Sequence, residues 1–350
     1  MPSVNTARPA WPARHRSRRP AGYRRRGPSQ QPLPVRWMES AALYRRRVTR
    51  RRRLQRQVHY GAMAYAPVAV VLTTFRQRAN LPPWLAVAIA SGTPLAVAAA
   101  LPPRSRVRYA AAGMAYMWLF KISWELPADD EGTHRRRLNV DYPIRFDSAL
   151  CGGVPPSQRL QRALRRSGSV SLLDGAVCVI YGSWFLPHVL LGYALLRHPE
   201  YVPRAAGRLA ASYHLTTPFY WFVPTAPPWW ASEVAGRMDG EVKRVVRYVV
   251  CRVLDRPPPS EDEEVPGNPW GSMPSDHISS AAMTAMALSE IGVAHGVAGW
   301  LYVGGAAFAV IYLGEHYLTD VLAGLAIAEV VRRAEPLAAP VVRAVAYALE

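Results

Sequence analysis

The chain has 350 residues, half of them hydrophobic, and a formal net charge of +19 at neutral pH. Residues 1–58 hold 17 arginines against one acid, Glu39, so that this segment carries +16 and the remainder only +3. No aromatic-interleaved or zinc-type module accompanies the arginines, so no nucleic-acid partner is expected; three cysteines are too few for a disulfide scaffold and stand at no zinc-ligand spacing.

Taken in chain order, the first predicted element is a basic, largely disordered tail over residues 1–58. Up to Pro34 its Pro, Ser, Gln and Arg content offers too little apolar surface to offset the entropy of ordering. Residues 36–58 are expected to form a basic helix entering a membrane, with the runs Arg45–Arg47 and Arg50–Arg53 holding the N-terminus in the cytoplasm. No short apolar core precedes residue 59, so a cleaved signal peptide is not expected. From there the sequence reads as an all-α, polytopic membrane bundle of about eight spans, with apolar cores at 59–75, 84–101, 109–126, 172–196, 207–224, 277–293, 297–314 and 317–331. The first two are expected to be accessory spans (59–108), with residues 109–331 forming the main membrane domain and 332–350 a cytoplasmic tail.

With the N-terminus inside, the Arg-bearing joints 102–108 and 197–206 and the C-terminal tail face the cytoplasm. Segments 127–171 and 225–276 face outward. Two helices are expected to lie along the membrane there. One is the valine stripe from Val242 to Leu254, whose apolar residues recur at helical spacing; the other surrounds Leu160 and Leu164. Cys151 and Cys251 both fall on the outer side, where a single bridge between them is compatible with the topology. Pro257 to Glu264 reads as an exposed linker.

The chemistry concentrates between Pro274 and Asp320. His277 and His316 stand 39 positions apart across mostly apolar sequence, about 58 Å of helix or roughly two membrane crossings, which returns both to one face. Gly292 and Gly296 suit the turn between the crossings. His316 and Asp320 are four apart, so on a helix they share a face and the carboxylate can orient the imidazole for nucleophilic attack. Pro274-Ser275 reads as a helix start, with Ser275 as its cap and a first turn whose free N–H groups attract phosphate. His277, in that turn, is placed to act as general acid and base. Together these motifs predict phosphoryl transfer at a membrane surface.

Gly271-Ser-Met-Pro-Ser-Asp-His277 and Tyr312-Leu-Gly-Glu-His-Tyr-Leu-Thr-Asp-Val-Leu-Ala-Gly324 resemble the second and third signature motifs of the type 2 phosphatidic acid phosphatase superfamily. The resemblance implies a six-helix catalytic core. It also implies that His316 attacks phosphorus to form a phosphohistidine, Asp320 supports it, His277 serves as acid and base, and Ser275 contacts phosphate. Neither a metal nor another cofactor is implied. The expected partners are a lipid-linked phosphate or pyrophosphate, membrane lipid and, for a transferase, an alcohol acceptor.

Two departures refine this picture. Ala309-Val310 stands where such phosphatases carry Ser-Arg, and their first motif, Lys followed by Arg-Pro, is missing. The inositol phosphorylceramide synthase-like branch also lacks that Arg. Pro224-Thr-Ala-Pro-Pro-Trp-Trp230 and Asp141-Tyr-Pro-Ile144 resemble that branch too. Lys121, Arg137 and Arg145 are the expected replacements for the missing phosphate-binding cations. The alternative of another class is a catalytically inactive membrane scaffold that uses its basic tail to bind lipid or a partner; intact His277, His316 and Asp320 argue against it.

Overall fold

The computed structural model describes residues 35–349, except 104, 167–168, 199 and 258–267. The expectation of disorder up to Pro34, and nearly all of the proline and acidic linker, lie outside the described residues. The chain divides into two units, Met1–Leu54 and Gln55–Glu350. The first is helical from Val35 onward; everything below concerns the second.

Among the described residues the architecture is all-helical. The long elements begin with α1 (Val35–Thr74), α2 (Pro83–Ala100) and α3 (Arg106–Glu125). Short helices follow: α4 (Glu131–Arg136), α5 (Asp141–Leu150) and α6 (Pro156–Leu164). Then come α7 (Leu172–Gly182), α8 (Leu186–Arg197), α9 (Val202–Phe222), the short α10 (Pro228–Glu233) and α11 (Val245–Val253). The chain closes with α12 (Asp276–Ile291), α13 (Val293–Tyr312) and α14 (Leu318–Leu349).

Each of the eight predicted apolar cores coincides with a helix or part of one, with two changes of outline. The core at 172–196 is broken by a 3₁₀ turn at Ser183–Phe185, where Ser183 bonds its hydroxyl to the Ile180 carbonyl. The last core runs on, so that the segment expected as a tail after residue 331 continues α14 as helix to Leu349. By length and composition, two helices among the described residues, Pro83–Ala100 and Val293–Tyr312, are long and apolar enough to cross a membrane. Apolar side chains also point outward from the bundle: Met114, Val179, Val189, Phe222 and Leu301 are all mostly exposed.

The core gathers where α3, α9, α12 and α14 meet, around Phe120, Tyr213, Met283, Ala328 and Val331. The α12–α13 hairpin turns on Gly292 alone; His295 and Gly296, expected in the turn, already belong to α13. Small residues then let the two helices close up. A Cβ on Gly296 would lie 3.0 Å from the Ser289 Cα, and one on Gly299 would lie 2.8 Å from the Ala285 Cα, so a larger side chain at either position would force the helices apart. The same device joins α12 to α14, where a Cβ on Gly324 would come within 2.5 Å of the Ser275 carbonyl. That contact brings the start of α12 against the first turns of α14.

The valine stripe packs as expected on one side only. Val242, Val245 and Val249 are buried, whereas Val250, Val253 and Leu254 are exposed; α11 begins at Val245 and is shorter than the periodicity suggests. Cys151, Cys178 and Cys251 are all free thiols.

Candidate active site

Three loops distant in sequence are laced together beside the start of α12. Asn139 and Thr225, then Thr225 and Gly271, form isolated parallel bridges. The Thr225 N–H donates to the Trp270 carbonyl at 2.8 Å, the Ala226 N–H to Asn139 at 2.9 Å, and the Ser272 N–H to Thr225 at 3.3 Å. Tyr142 adds a hydroxyl contact to Thr225 at 2.9 Å. The segments around Asp141, Pro224 and Gly271 thus build one support for the loop that carries Ser272 and leads into Ser275 and His277.

Against this loop sits the turn between α13 and α14. Gly314 occupies a left-handed conformation (φ 76°), and a Cβ there would meet the Lys243 carbonyl at 3.0 Å, so glycine is required on both counts. The turn is held from several sides. Gln161 of α6 donates to the Tyr312 carbonyl at 2.7 Å and the Lys243 carbonyl at 2.9 Å, and accepts from the Lys243 N–H at 2.8 Å. The Trp229 N–H donates to Gly314 at 3.0 Å. Glu315 pairs with the Arg244 Nε at 2.9 Å, and that guanidinium lies over the Trp229 ring, 4.6 Å from its centroid.

The structure brings His277 and His316 together, with ring centroids 5.6 Å apart. Tyr181 of α7 stacks on His277 at 4.6 Å, its ring only 15° from parallel. His316 and Asp320 do not share a helix face, since α14 starts only at Leu318 and His316 precedes it in the turn. They meet because Asp320 folds back to cap its own helix, accepting the Tyr317 N–H at 2.9 Å. The nearest partner of His316 Nδ1 is not the carboxylate but the Ser272 carbonyl, at 2.9 Å, with Asp320 Oδ2 at 3.4 Å. A carbonyl can only accept, so Nδ1 carries the proton and Nε2 keeps its lone pair. The Ser272 hydroxyl is taken up by Asp320 at 2.5 Å. Asp320 is fully buried and places negative charge beside the ring, where it favours any positive charge that develops on the imidazole.

Ser275 stands at the N-terminus of α12, yet its side chain makes no capping bond. Its N–H donates to the Asp320 carbonyl at 3.0 Å, and its hydroxyl is buried without a hydrogen-bond partner among the described residues. A buried hydroxyl in that state is free for a ligand oxygen.

The three expected cations fare differently. Lys121 is exposed, pairs with Glu125 at 2.6 Å and stands over Trp118. Arg137 follows α4 as its C-cap and Arg145 lies on α5; both are exposed, and among the described residues neither bonds to His277 or His316. Position 310, where an arginine was missing, is core: Val310 is fully buried among Ile278, Ala306 and Val321, and its carbonyl accepts the N–H groups of Glu315 and His316.

Asp147 escaped the sequence reading. It lies on α5, is fully buried, and accepts from the Leu318 N–H and the Thr319 N–H at 2.9 Å each and from the Thr319 hydroxyl at 2.6 Å. Burial pushes its carboxyl above the ordinary range, an effect its three donors oppose. This residue caps α14 from 171 positions away, a relation that no local spacing announces. Ser272 and Glu315 were visible within the quoted motifs but had no assigned contact. His134, expected to be structural, is buried against Trp270 at 5.2 Å, and burial lowers its pKa. Among the described residues no group of three or more His, Cys, Asp or Glu side chains is arranged to hold a metal ion.

A family model described as the PAP2 superfamily matches residues 145–332, more than half of the chain. No curated protein matches the chain, and no solved structure does.

Proposed function

The chain belongs to the PAP2 superfamily, and from that premise we propose that it is an integral membrane lipid-phosphate phosphatase or phosphotransferase working through a phosphohistidine on His316. The observation that carries the reading is the His316 ring itself: Nδ1 bonded to the Ser272 carbonyl, Asp320 alongside, and a second imidazole 5.6 Å away.

In this reading His316 Nε2 attacks the phosphorus of a lipid phosphoester or pyrophosphate. A P–N bond forms, the bond to the leaving oxygen breaks, and His277 gives that oxygen a proton. The Asp320 carboxylate stabilises the positive imidazolium that results. Water or an alcohol then attacks the phosphohistidine while His277 takes its proton, which returns both rings to their starting state. Water makes the protein a phosphatase and an alcohol makes it a transferase. The Ser275 hydroxyl contacts a phosphoryl oxygen.

The step needs no metal, and the outward apolar faces support a chain of about eight spans whose termini are cytoplasmic and whose histidines face the other side. The lack of an arginine at position 310 and the lacing of Asp141, Pro224 and Gly271 segments support kinship with the inositol phosphorylceramide synthase-like branch.

The test is phosphate release by the purified protein in detergent from a panel of lipid phosphates and pyrophosphates, with EDTA present, comparing wild type with His316→Ala. Release that survives EDTA and is lost in the variant is expected, together with acid-labile label on the wild-type protein from a ³²P substrate. Release unaffected by the substitution would end the proposal; with no release from any lipid, the same panel would be repeated with alcohol acceptors.

A further inference from the structure

A phosphate ester arriving between His277 and His316 meets two carboxylates, Glu315 and Asp320, on the turn and helix that hold the nucleophile. It therefore needs a cation, and neither the core residue Val310 nor the paired, exposed Lys121 provides one. Arg244 has the right construction. Its Nε donates to Glu315, the residue directly before His316, and its plane rests on Trp229, so two contacts fix the guanidinium in place. Its side chain is only one-fifth exposed. Both terminal nitrogens, Nη1 and Nη2, lack a hydrogen-bond partner among the described residues, leaving a pair of donors in the fork geometry that matches two phosphoryl oxygens. Through Glu315 the head group is tied to the turn that carries His316, the residue next in sequence. The neighbouring basic groups are already engaged, Lys243 with Glu233 at 3.6 Å and Arg162 with Glu241.

We propose that Arg244 is the phosphate-binding cation of this site, donating from Nη1 and Nη2 to the phosphoryl oxygens while Glu315 and Trp229 hold it in register. The assignment rests on the function proposed above and adds to it a residue outside every quoted motif. It makes the outer segment between α10 and α11 part of the substrate site.

The competing role for Arg244 is purely structural, to neutralise the buried Glu315. Removing one partner of such a pair leaves an uncompensated charge, so Arg244→Ala alone would lose activity on either account. The deciding protein is the double variant Arg244→Met with Glu315→Gln, which removes both charges, alongside Glu315→Gln alone. Binding of inorganic phosphate to the purified full-length chain, read by ³¹P line broadening, is measured beside phosphate release from the lipid panel. Size-exclusion behaviour and tryptophan fluorescence check that each variant is folded.

The folded double variant should bind inorganic phosphate about 100-fold more weakly than wild type, while Glu315→Gln keeps its affinity within about 10-fold. A folded double variant that binds phosphate like wild type would overturn the assignment, as would a wild type with no phosphate affinity. A wild type that binds phosphate through Arg244 yet releases none from any lipid would support the assignment and instead remove hydrolysis from the proposed function.

Discussion

The two ends of α12 each hold a cluster of charged side chains, about 21 Å apart along the helix, and they are built on opposite plans. Near Glu290 the accounts close. Arg208 bonds Glu290 at 2.7 Å and Glu335 at 2.6 Å, and Arg204 bonds the same two acids at 3.3 and 2.5 Å. Two arginines from α9 thereby tie α12 to α14 with equal charge on each side. Near Asp276 they do not close. Ser275 Oγ, Asp276 Oδ1 and Asp320 Oδ1 are buried without a hydrogen-bond partner among the described residues, and Arg244 has donors to spare. Closed clusters hold helices together; one that leaves several buried oxygens unmatched beside the two histidines is where a ligand completes the structure.

This contrast is broken most severely at His316. His316→Ala should reduce phosphate release by about 10⁴-fold or more, since in the proposed mechanism it is the group that forms the P–N bond; a rate assay on the lipid panel reads this, with melting little changed. His277→Ala follows, with an expected loss of about 10²- to 10⁴-fold. That loss should be smaller for substrates with better leaving groups, which need less help from an acid. Comparing an aryl phosphate with a lipid phosphate checks this.

Asp147 sharpens the comparison, because it reaches the open cluster only through Leu318 and Thr319. Asp147→Ala leaves the half-buried Leu318 and Thr319 N–H groups unpaired, at about 1–3 kcal/mol of stability. It should also lower kcat by about 10- to 100-fold by loosening the turn before α14. Asp147→Asn keeps one acceptor and should fall between Ala and wild type in both thermal unfolding and turnover.

The closed cluster should respond the other way. Arg208→Ala leaves Glu290 and Glu335 with Arg204 alone and should cost about 1–3 kcal/mol of stability, measured by thermal unfolding in detergent, with turnover per folded molecule unchanged within about 2-fold. Smallest of all is Arg162→Ala, which removes an exposed pair with Glu241 and should alter neither melting nor activity measurably at physiological salt.

Much of this arrangement was legible from residues alone. The apolar cores located the helices, since periodicity and length are local properties, and the distance from His277 to His316 implied a hairpin that would bring them back together. Local spacing misled where it was taken for helix geometry. His316 and Asp320 meet through a turn and a cap, and the 172–196 core bends where Ser183 finds the Ile180 carbonyl. Charge composition also misled. The arginines conspicuous in sequence, Arg137 and Arg145, are exposed, whereas Arg244 sits unremarked inside the valine stripe, just before the helix begins at Val245.

By itself the sequence determined the helical class, the membrane-like patterning and the candidate residues His277, His316 and Asp320, because each is written in neighbouring residues or in one motif. Tertiary structure alone decided which groups surround those side chains. The Ser272 carbonyl on Nδ1, the Asp147 cap on α14, and Arg244 against Glu315 join segments 44, 171 and 71 positions apart. Such contacts depend on how loops pack on one another, and a backbone carbonyl or a distant cap leaves no signature in local spacing.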